Sequence, residues 1–202
     1  MDDTILFPGV ELEKTMFGKP YTYSENDKVY SEIFGLLRGD RIVPLQGAYE
    51  PIVGDKIIGV VSEERFSSYN IYINTAYDTS LSTKMCRQEL FVGDMIEAEV
   101  EKIDETKRIY MKYPKKLPHG SVIEVPAVKI PRLIGKQMSM LNLIKEKTGC
   151  DVKVGKNGLV WISDCENRYL VVNVINKIVR EAHFSGLTSR IEEFLGQKSN
   201  EV

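Results

Sequence analysis

Val128-Lys-Ile-Pro-Arg-Leu-Ile-Gly-Lys-Gln-Met-Ser-Met-Leu-Asn-Leu-Ile-Lys-Glu-Lys-Thr148 is the stretch that decides the fold. A β-leaning segment over 122–130 stops at Pro131, where a helix can begin because proline needs no amide partner in a first turn. One short helical turn follows, then Gly135-Lys136-Gln137-Met138, then a second helix opening near Ser139. In that second helix Met140, Leu141, Leu143 and Ile144 recur at spacings of three and four, which makes one apolar face. Gly149 is placed to cap its C-terminus. Two short helices joined by a tight Gly-Lys loop can clamp a sugar-phosphate backbone. Glycine lets phosphate approach the main chain, lysine supplies charge, and the next helix presents unpaired amides.

The residues after the loop sharpen the reading. Residues 151–155 read as a strand, Lys156-Asn157-Gly158 as a hairpin turn and 159–163 as its partner, since Asn-Gly between apolar runs is a strong hairpin signal. A long helix is expected over 167–184, with Leu170, Val174, Ile178 and Ala182 in one column and Val171, Ile175 and Val179 beside it. The order strand, helix, loop, helix, strand, strand, helix, together with the Ile-Gly-Lys loop, resembles a KH domain, whose GxxG loop grips single-stranded nucleic acid. The resemblance implies RNA contact through Lys136, with Arg132 just before the loop. Met138 stands where the family's loop has its second glycine. The alternative is a module that mainly packs against a partner.

The 202 residues are 43% hydrophobic and 28% charged, which suits one to three small folded domains rather than disorder. No apolar run approaches the roughly 20 residues needed to cross a membrane, and no signal peptide is visible, so the expected location is cytoplasmic. Cys86, Cys150 and Cys165 lie far apart with no CxxC or Cys/His spacing, and the expectation is reduced thiols with no zinc site. His119 and His183 each lack a second ligand at metal-binding spacing, and no nucleophile elbow, Walker loop or dinucleotide fingerprint is present. No cofactor, metal or catalytic residue is expected. Residues 1–117 hold 15 Lys+Arg against 20 Asp+Glu, whereas 118–202 hold 12 against 9, so the C-terminal part is better suited to meeting phosphate.

The first fifty residues are rich in Gly, Pro and Tyr. Strands are expected over 15–23, 28–37 and 41–45, giving a small β-sandwich or barrel-like unit that can bury little core alone. The next unit opens with Val53-Gly54-Asp55-Lys56-Ile57-Ile58-Gly59, and a similar phrase returns at Val92-Gly93-Asp94-Met95-Ile96. In each, a Gly-Asp turn feeds a strand. Further strands are expected over 68–74, 78–81 and 108–112, and five short strands in about sixty residues suit an OB-fold barrel. Lys112-Tyr113-Pro114-Lys115-Lys116 is expected to be a connector. The barrel resembles an S1 domain, the OB-type module of many RNA-handling proteins. That likeness places Phe66 and Tyr69 near base-stacking positions, with Arg65 holding the backbone. Barrel packing is the competing role for either ring, and Tyr72 and Tyr77 are close by.

The chain therefore reads as a multidomain, β-rich plus α+β protein. A small N-terminal β-domain (1–50) precedes a five-stranded OB-fold (S1) barrel (51–116), a β-α-α-β-β-α KH domain (117–196) and a disordered tail (197–202). The last helix of the KH unit is expected around Leu187, Ile191, Phe194 and Leu195. That order resembles the S1–KH cap subunit of the archaeal RNA exosome, of the ribosomal-RNA-processing type. The likeness is carried by Val43-Pro44-Leu45-Gln46-Gly47 with Tyr49 and Pro51, by Lys129 to Lys136, and by Gly155-Lys156-Asn157-Gly158 before Val160-Trp161-Ile162. The resemblance implies a non-catalytic subunit, three copies of which sit on a hexameric ring of phosphorolytic exoribonuclease subunits. It also implies capture of single-stranded RNA, with a preference for A-rich tails, and delivery of 3′ ends to the ring. A free-standing S1–KH regulator of transcription or translation is the rival reading. A stand-alone nuclease would need a cluster of Asp and Glu able to hold magnesium.

Overall fold

The computed structural model describes residues 4–44, 49–184 and 186–198. The chain divides into two compact units, 1–48 and 49–202. In the first unit six short strands are β1 (Thr4–Leu6), β2 (Glu11–Leu12), β3 (Thr22–Glu25), β4 (Lys28–Ser31), β5 (Gly35–Arg38) and β6 (Arg41–Pro44). They form two three-stranded antiparallel sheets, ordered β1-β5-β6 and β2-β4-β3. Leu6, Leu12, Met16, Val29 and Ile42 make the core, which is small, as a unit of this length dictates. The strand expected over 15–23 is mostly not formed. Lys14–Met16 is a single 3-10 turn, and only residues from Thr22 onward extend, because Gly18 and Pro20 break the run. The segment 28–37 is two strands, the second of which opens at Gly35, where a break is expected. Leu45, Gln46 and Gly47 lie outside the described residues.

The second unit begins with a closed barrel of β7 (Lys56–Glu64), β8 (Ser68–Tyr72), β9 (Thr79–Ser82), β10 (Met95–Ile103) and β11 (Ile109–Lys116), in the order β10-β11-β9-β8-β7. Neighbours are antiparallel except for β9 and β11. Ile96, Ala98 and Val100 alternate inward as their spacing requires, and meet Ile57, Val61, Ile71, Leu81 and Ile109 in the core. Residues 112–116 are not a connector: they complete β11, pairing Lys116 with Ile96 and Lys115 with Glu97. A register shift between Glu97 and Glu99 leaves Tyr113 and Pro114 in a bulge, with Tyr113 at φ 52°. A bulge is where a strand tolerates a proline that has no amide to donate.

The remainder comprises β12 (Gly120–Glu124), α1 (Ile130–Ile134), α2 (Ser139–Thr148), β13 (Val152–Val154), β14 (Leu159–Ser163), α3 (Arg168–Glu181) and α4 (Leu187–Lys198). The sheet order is β12-β14-β13, antiparallel throughout. Helices and sheet share one core that includes Leu133, Met140, Ile144, Val152, Ile162 and Val174. Gly149, at φ 70°, caps α2 with a backbone bond to the Lys145 carbonyl. Gln197 and Lys198, expected in the disordered tail, instead complete α4, and residues 199–202 lie outside the described residues.

One expectation about chemistry is corrected. Cys150 and Cys165 form a disulfide, and only Cys86 is free. The two cysteines are fifteen residues apart in sequence. The β13–β14 hairpin folds between them and returns the start of α3 to the end of α2, so no short-range spacing betrays the pair. The Asn167 side-chain amide donates to the Thr148 carbonyl at 2.9 Å across the same junction.

The turn of that hairpin, Gly155-Lys156-Asn157-Gly158, joins the two halves of the unit. Asn157 is fully buried. Its amide nitrogen donates to the carbonyls of Ile58 (2.7 Å) and Ile73 (3.0 Å), and its oxygen accepts from the Ile58 amide (3.2 Å). A side chain on Gly155 would strike the Asn157 oxygen and, at 2.6 Å, the Ile58 nitrogen. Gly158 sits at φ 85°, and a side chain there would meet the Val125 carbonyl. Around this polar knot lies an apolar seam of Ile58, Leu117, Leu159 and Trp161. Lys156 pairs with buried Asp55 at 2.7 Å, and Lys153 pairs with Glu97.

Asn157→Ala should lower unfolding free energy by about 3 kcal/mol, because it leaves two carbonyls and one amide of the barrel unpaired in a dry interface; urea denaturation checks this. Alkylation of the unfolded protein should label Cys86 alone before reduction and all three cysteines after it, as read by intact mass. Reducing the Cys150–Cys165 bond should destabilise the fold by about 3 kcal/mol, the value expected for a loop of this length.

Candidate nucleic-acid interface

The barrel has two ends. At one end β7 turns into β8 through Arg65-Phe66-Ser67, closed by the Arg65 amide donating to the Ser68 carbonyl at 2.8 Å. Phe66 at the tip is 106% exposed, so its whole ring faces solvent. Arg65 forks onto one Glu63 oxygen at 3.0 and 2.7 Å, and that carboxylate pushes its pKa upward through the hydrogen bond and the charge. The Ser67 carbonyl accepts from both the amide and the hydroxyl of Thr83, at 3.1 and 3.2 Å. This tie brings Thr83, at the start of a segment that carries exposed Lys84, Met85 and Arg87, onto the loop of the aromatic tip. A flat exposed ring flanked by long cationic side chains can stack any base and hold the adjoining phosphates. Lys84 and Arg87 carry little signal in the sequence. They are two cations just past a strand end, which gain meaning only once Thr83 is tied to Ser67.

Tyr69 has another role. It is 4% exposed, sits in the barrel core, and its hydroxyl oxygen accepts from the Leu90 amide at 3.3 Å. Its expected place on the stacking surface is therefore corrected. It lies an odd number of residues from Phe66, but Phe66 is in the loop rather than on the strand, so the alternation of β8 alone governs Tyr69 and points it inward with Ile71. The Tyr72 hydroxyl donates to Glu124 of β12 at 2.8 Å, and that bond pushes its phenol upward. Tyr72 thus helps dock the barrel on its neighbour.

The KH-like loop lies on the other half of the unit. Arg132 on α1 and Lys136 in the loop are both accessible to solvent. Burial and then the neighbouring Arg132 charge push the Lys129 ammonium downward. Gln137 and Met138 adopt φ 52° and φ 63°, so Met138 takes up a left-handed conformation at the position where a glycine is usual. It is 49% exposed. The site residues expected from the sequence therefore fall into two groups: Arg65 and Phe66 on one barrel loop, and Arg132 and Lys136 beside the KH loop. Among the described residues no three His, Cys, Asp or Glu side chains are grouped to hold a metal ion, and no helix is long and apolar enough to cross a membrane.

A closed OB-type barrel sealed through a Gly-x-Asn-Gly turn to a β-α-α-β-β-α unit defines an S1–KH protein. A KH-domain family model matches residues 120–167. The exosome complex component Rrp4 of Picrophilus torridus is 38% identical over 95% of this chain and 91% of its own length. Its counterpart in Thermoplasma acidophilum is 36% identical over 98% and 92%. A crystal structure described as an exosome complex RNA-binding protein superposes with a TM-score of 0.69 at 29% identity, covering 76% of this chain and 98% of that one. The chain belongs to the Rrp4 family of exosome complex components.

Phe66→Ala should leave the melting temperature unchanged, since the ring is fully solvated in the folded state. Tyr69→Ala should cost about 3–5 kcal/mol of stability, as for other buried aromatic truncations. Thermal and urea unfolding of the two variants separate surface ring from core ring.

Proposed function

We propose that this chain is the non-catalytic RNA-binding cap subunit of an exosome. In this reading the barrel captures single-stranded RNA and passes its 3′ end to a phosphorolytic exoribonuclease ring for degradation or processing. The observation that carries the proposal is Phe66, wholly exposed at the tip of the β7–β8 loop next to Arg65, with Thr83, the residue before Lys84, tied to Ser67 of the same loop. A monomeric barrel gains nothing in stability from such a ring, and a base stacked on it accounts for it. Family membership supports the assembly: relatives are named as components of a complex, which speaks against a free-standing regulator. The ring would be a hexamer carrying three copies of this chain, located in the cytoplasm, with the first unit and the KH unit making the ring contacts. Lys136 and Arg132 form a second, weaker RNA contact, because Met138 adds a side chain where close phosphate approach wants none.

Fluorescence anisotropy with a labelled single-stranded RNA tests the ranking. Phe66→Ala should weaken binding by about 1–3 kcal/mol, roughly 5- to 150-fold, and Lys136→Ala by less; the reverse order would move the main site to the KH loop. Removing a cation such as Lys84 should also flatten the dependence of affinity on salt, by about one counterion for each phosphate no longer held. Affinity purification of the tagged chain after RNase treatment should recover ring subunits. Recovery of the chain alone would leave a free RNA-binding protein.

A further inference from the structure

The far end of the barrel holds a cleft that the Phe66 loop does not use. Glu50, Pro51, Tyr77, Ile103 and Lys107 line a space of about 140 Å³. Sites for whole small molecules begin at about 300 Å³, so this one takes a single flat ring with the rest of its ligand outside. Tyr77 leans on the barrel core. The Lys107 ammonium lies 5.1 Å from the centre of the Tyr77 ring and donates to its hydroxyl at 3.2 Å. The backbone fixes where Lys107 starts: it sits at φ 61° in the β10–β11 turn. Asp104 locks that turn by accepting from the Thr106 amide (2.9 Å), the Thr106 hydroxyl (2.7 Å) and the Arg108 amide (2.9 Å). Arg108 in turn pairs with Asp78, next to Tyr77, at 3.4 Å. The two loops that wall the cleft are thereby held together.

We propose that this cleft is a second base-binding pocket for single-stranded RNA, one that favours a base carrying an exocyclic amino group. The proposal rests on the reading of the barrel as the RNA-binding module. In OB-type barrels the loop between the first two strands and the loop between the last two flank one ligand track. Here those loops carry Phe66 and Lys107 respectively, so one strand of RNA can reach both. The incoming base takes the place of the ammonium on the Tyr77 ring, between Pro51 and Ile103. Lys107 swings to the phosphate, a move its long exposed side chain permits. Glu50 is the carboxylate at the rim. It accepts from the amino group of cytosine, adenine or guanine, whereas uracil presents one N–H flanked by two carbonyl oxygens that a carboxylate repels.

The test is anisotropy of the full chain with fluorescein-labelled oligocytidine and oligouridine decamers. The wild type should bind oligocytidine more tightly. Glu50→Ala should weaken oligocytidine by about fivefold and should not weaken oligouridine, which loses a repulsion. Lys107→Ala and Tyr77→Leu should weaken both, and the exposed Glu50 and Lys107 carry the test if Tyr77→Leu fails to fold. Equal wild-type affinity for the two decamers would overturn the pocket. So would Glu50→Ala and Lys107→Ala binding within twofold of wild type while Phe66→Ala still binds weakly, and that result would leave the barrel reading standing. Loss of effect at Phe66 as well would overturn both.

Discussion

One buried amide fixes how the two halves of the larger unit meet. Asn157 reaches from a hairpin turn into the wall of the barrel and satisfies three backbone groups there. Without it the Ile58 and Ile73 carbonyls and the Ile58 amide would be left dry and unpaired, a cost that the small apolar seam of Ile58, Leu117, Leu159 and Trp161 would have to offset. The flanking glycines exist for the same contact. One lets the turn approach the barrel backbone, and the other supplies a left-handed conformation against the Val125 carbonyl. Polar knot and apolar seam are complementary: the seam supplies burial, and the knot fixes one register of one domain on the other.

That fixed register decides which side chains stay outward. Tyr72 bonded to Glu124, Lys153 to Glu97 and Lys156 to Asp55 all cross the same junction, so several aromatic and cationic side chains of the second unit are committed to docking. What remains outward is selective. Phe66 and the cations beside it face solvent at one barrel end, and Tyr77 with Lys107 lines the other. The net charge of the first 117 residues is negative, yet the outward positions at both ends carry lysine or arginine. Local placement rather than net charge decides where phosphate can be met.

Much of the architecture was legible from residue patterns. The Gly-Asp phrases at 54–55 and 93–94 announced two barrel strands, the alternation of Ile96, Ala98 and Val100 pointed inward, and Asn157-Gly158 marked a hairpin. Pro131 and Gly149 bracketed the helix–loop–helix correctly. Local patterns failed where the answer depended on a distant partner. Residues 112–116 look like a proline-broken linker, but β10 supplies a strand to pair with and a bulge to absorb Pro114. Tyr69 looks like a surface aromatic beside Phe66, but the barrel closes over it.

Residue pattern alone was enough for the helices and hairpin of the KH unit, the Asn-Gly turn and the Gly-Lys loop, because these follow from periodicity and from the backbone needs of glycine and proline. Tertiary structure alone decided which aromatic rings are free, that Cys150 meets Cys165, and that Lys107 lies over Tyr77. The reason is physical: burial, a disulfide and a cation over a ring are relations between residues far apart in the chain. Their partners become neighbours only when the barrel closes and the hairpin folds back.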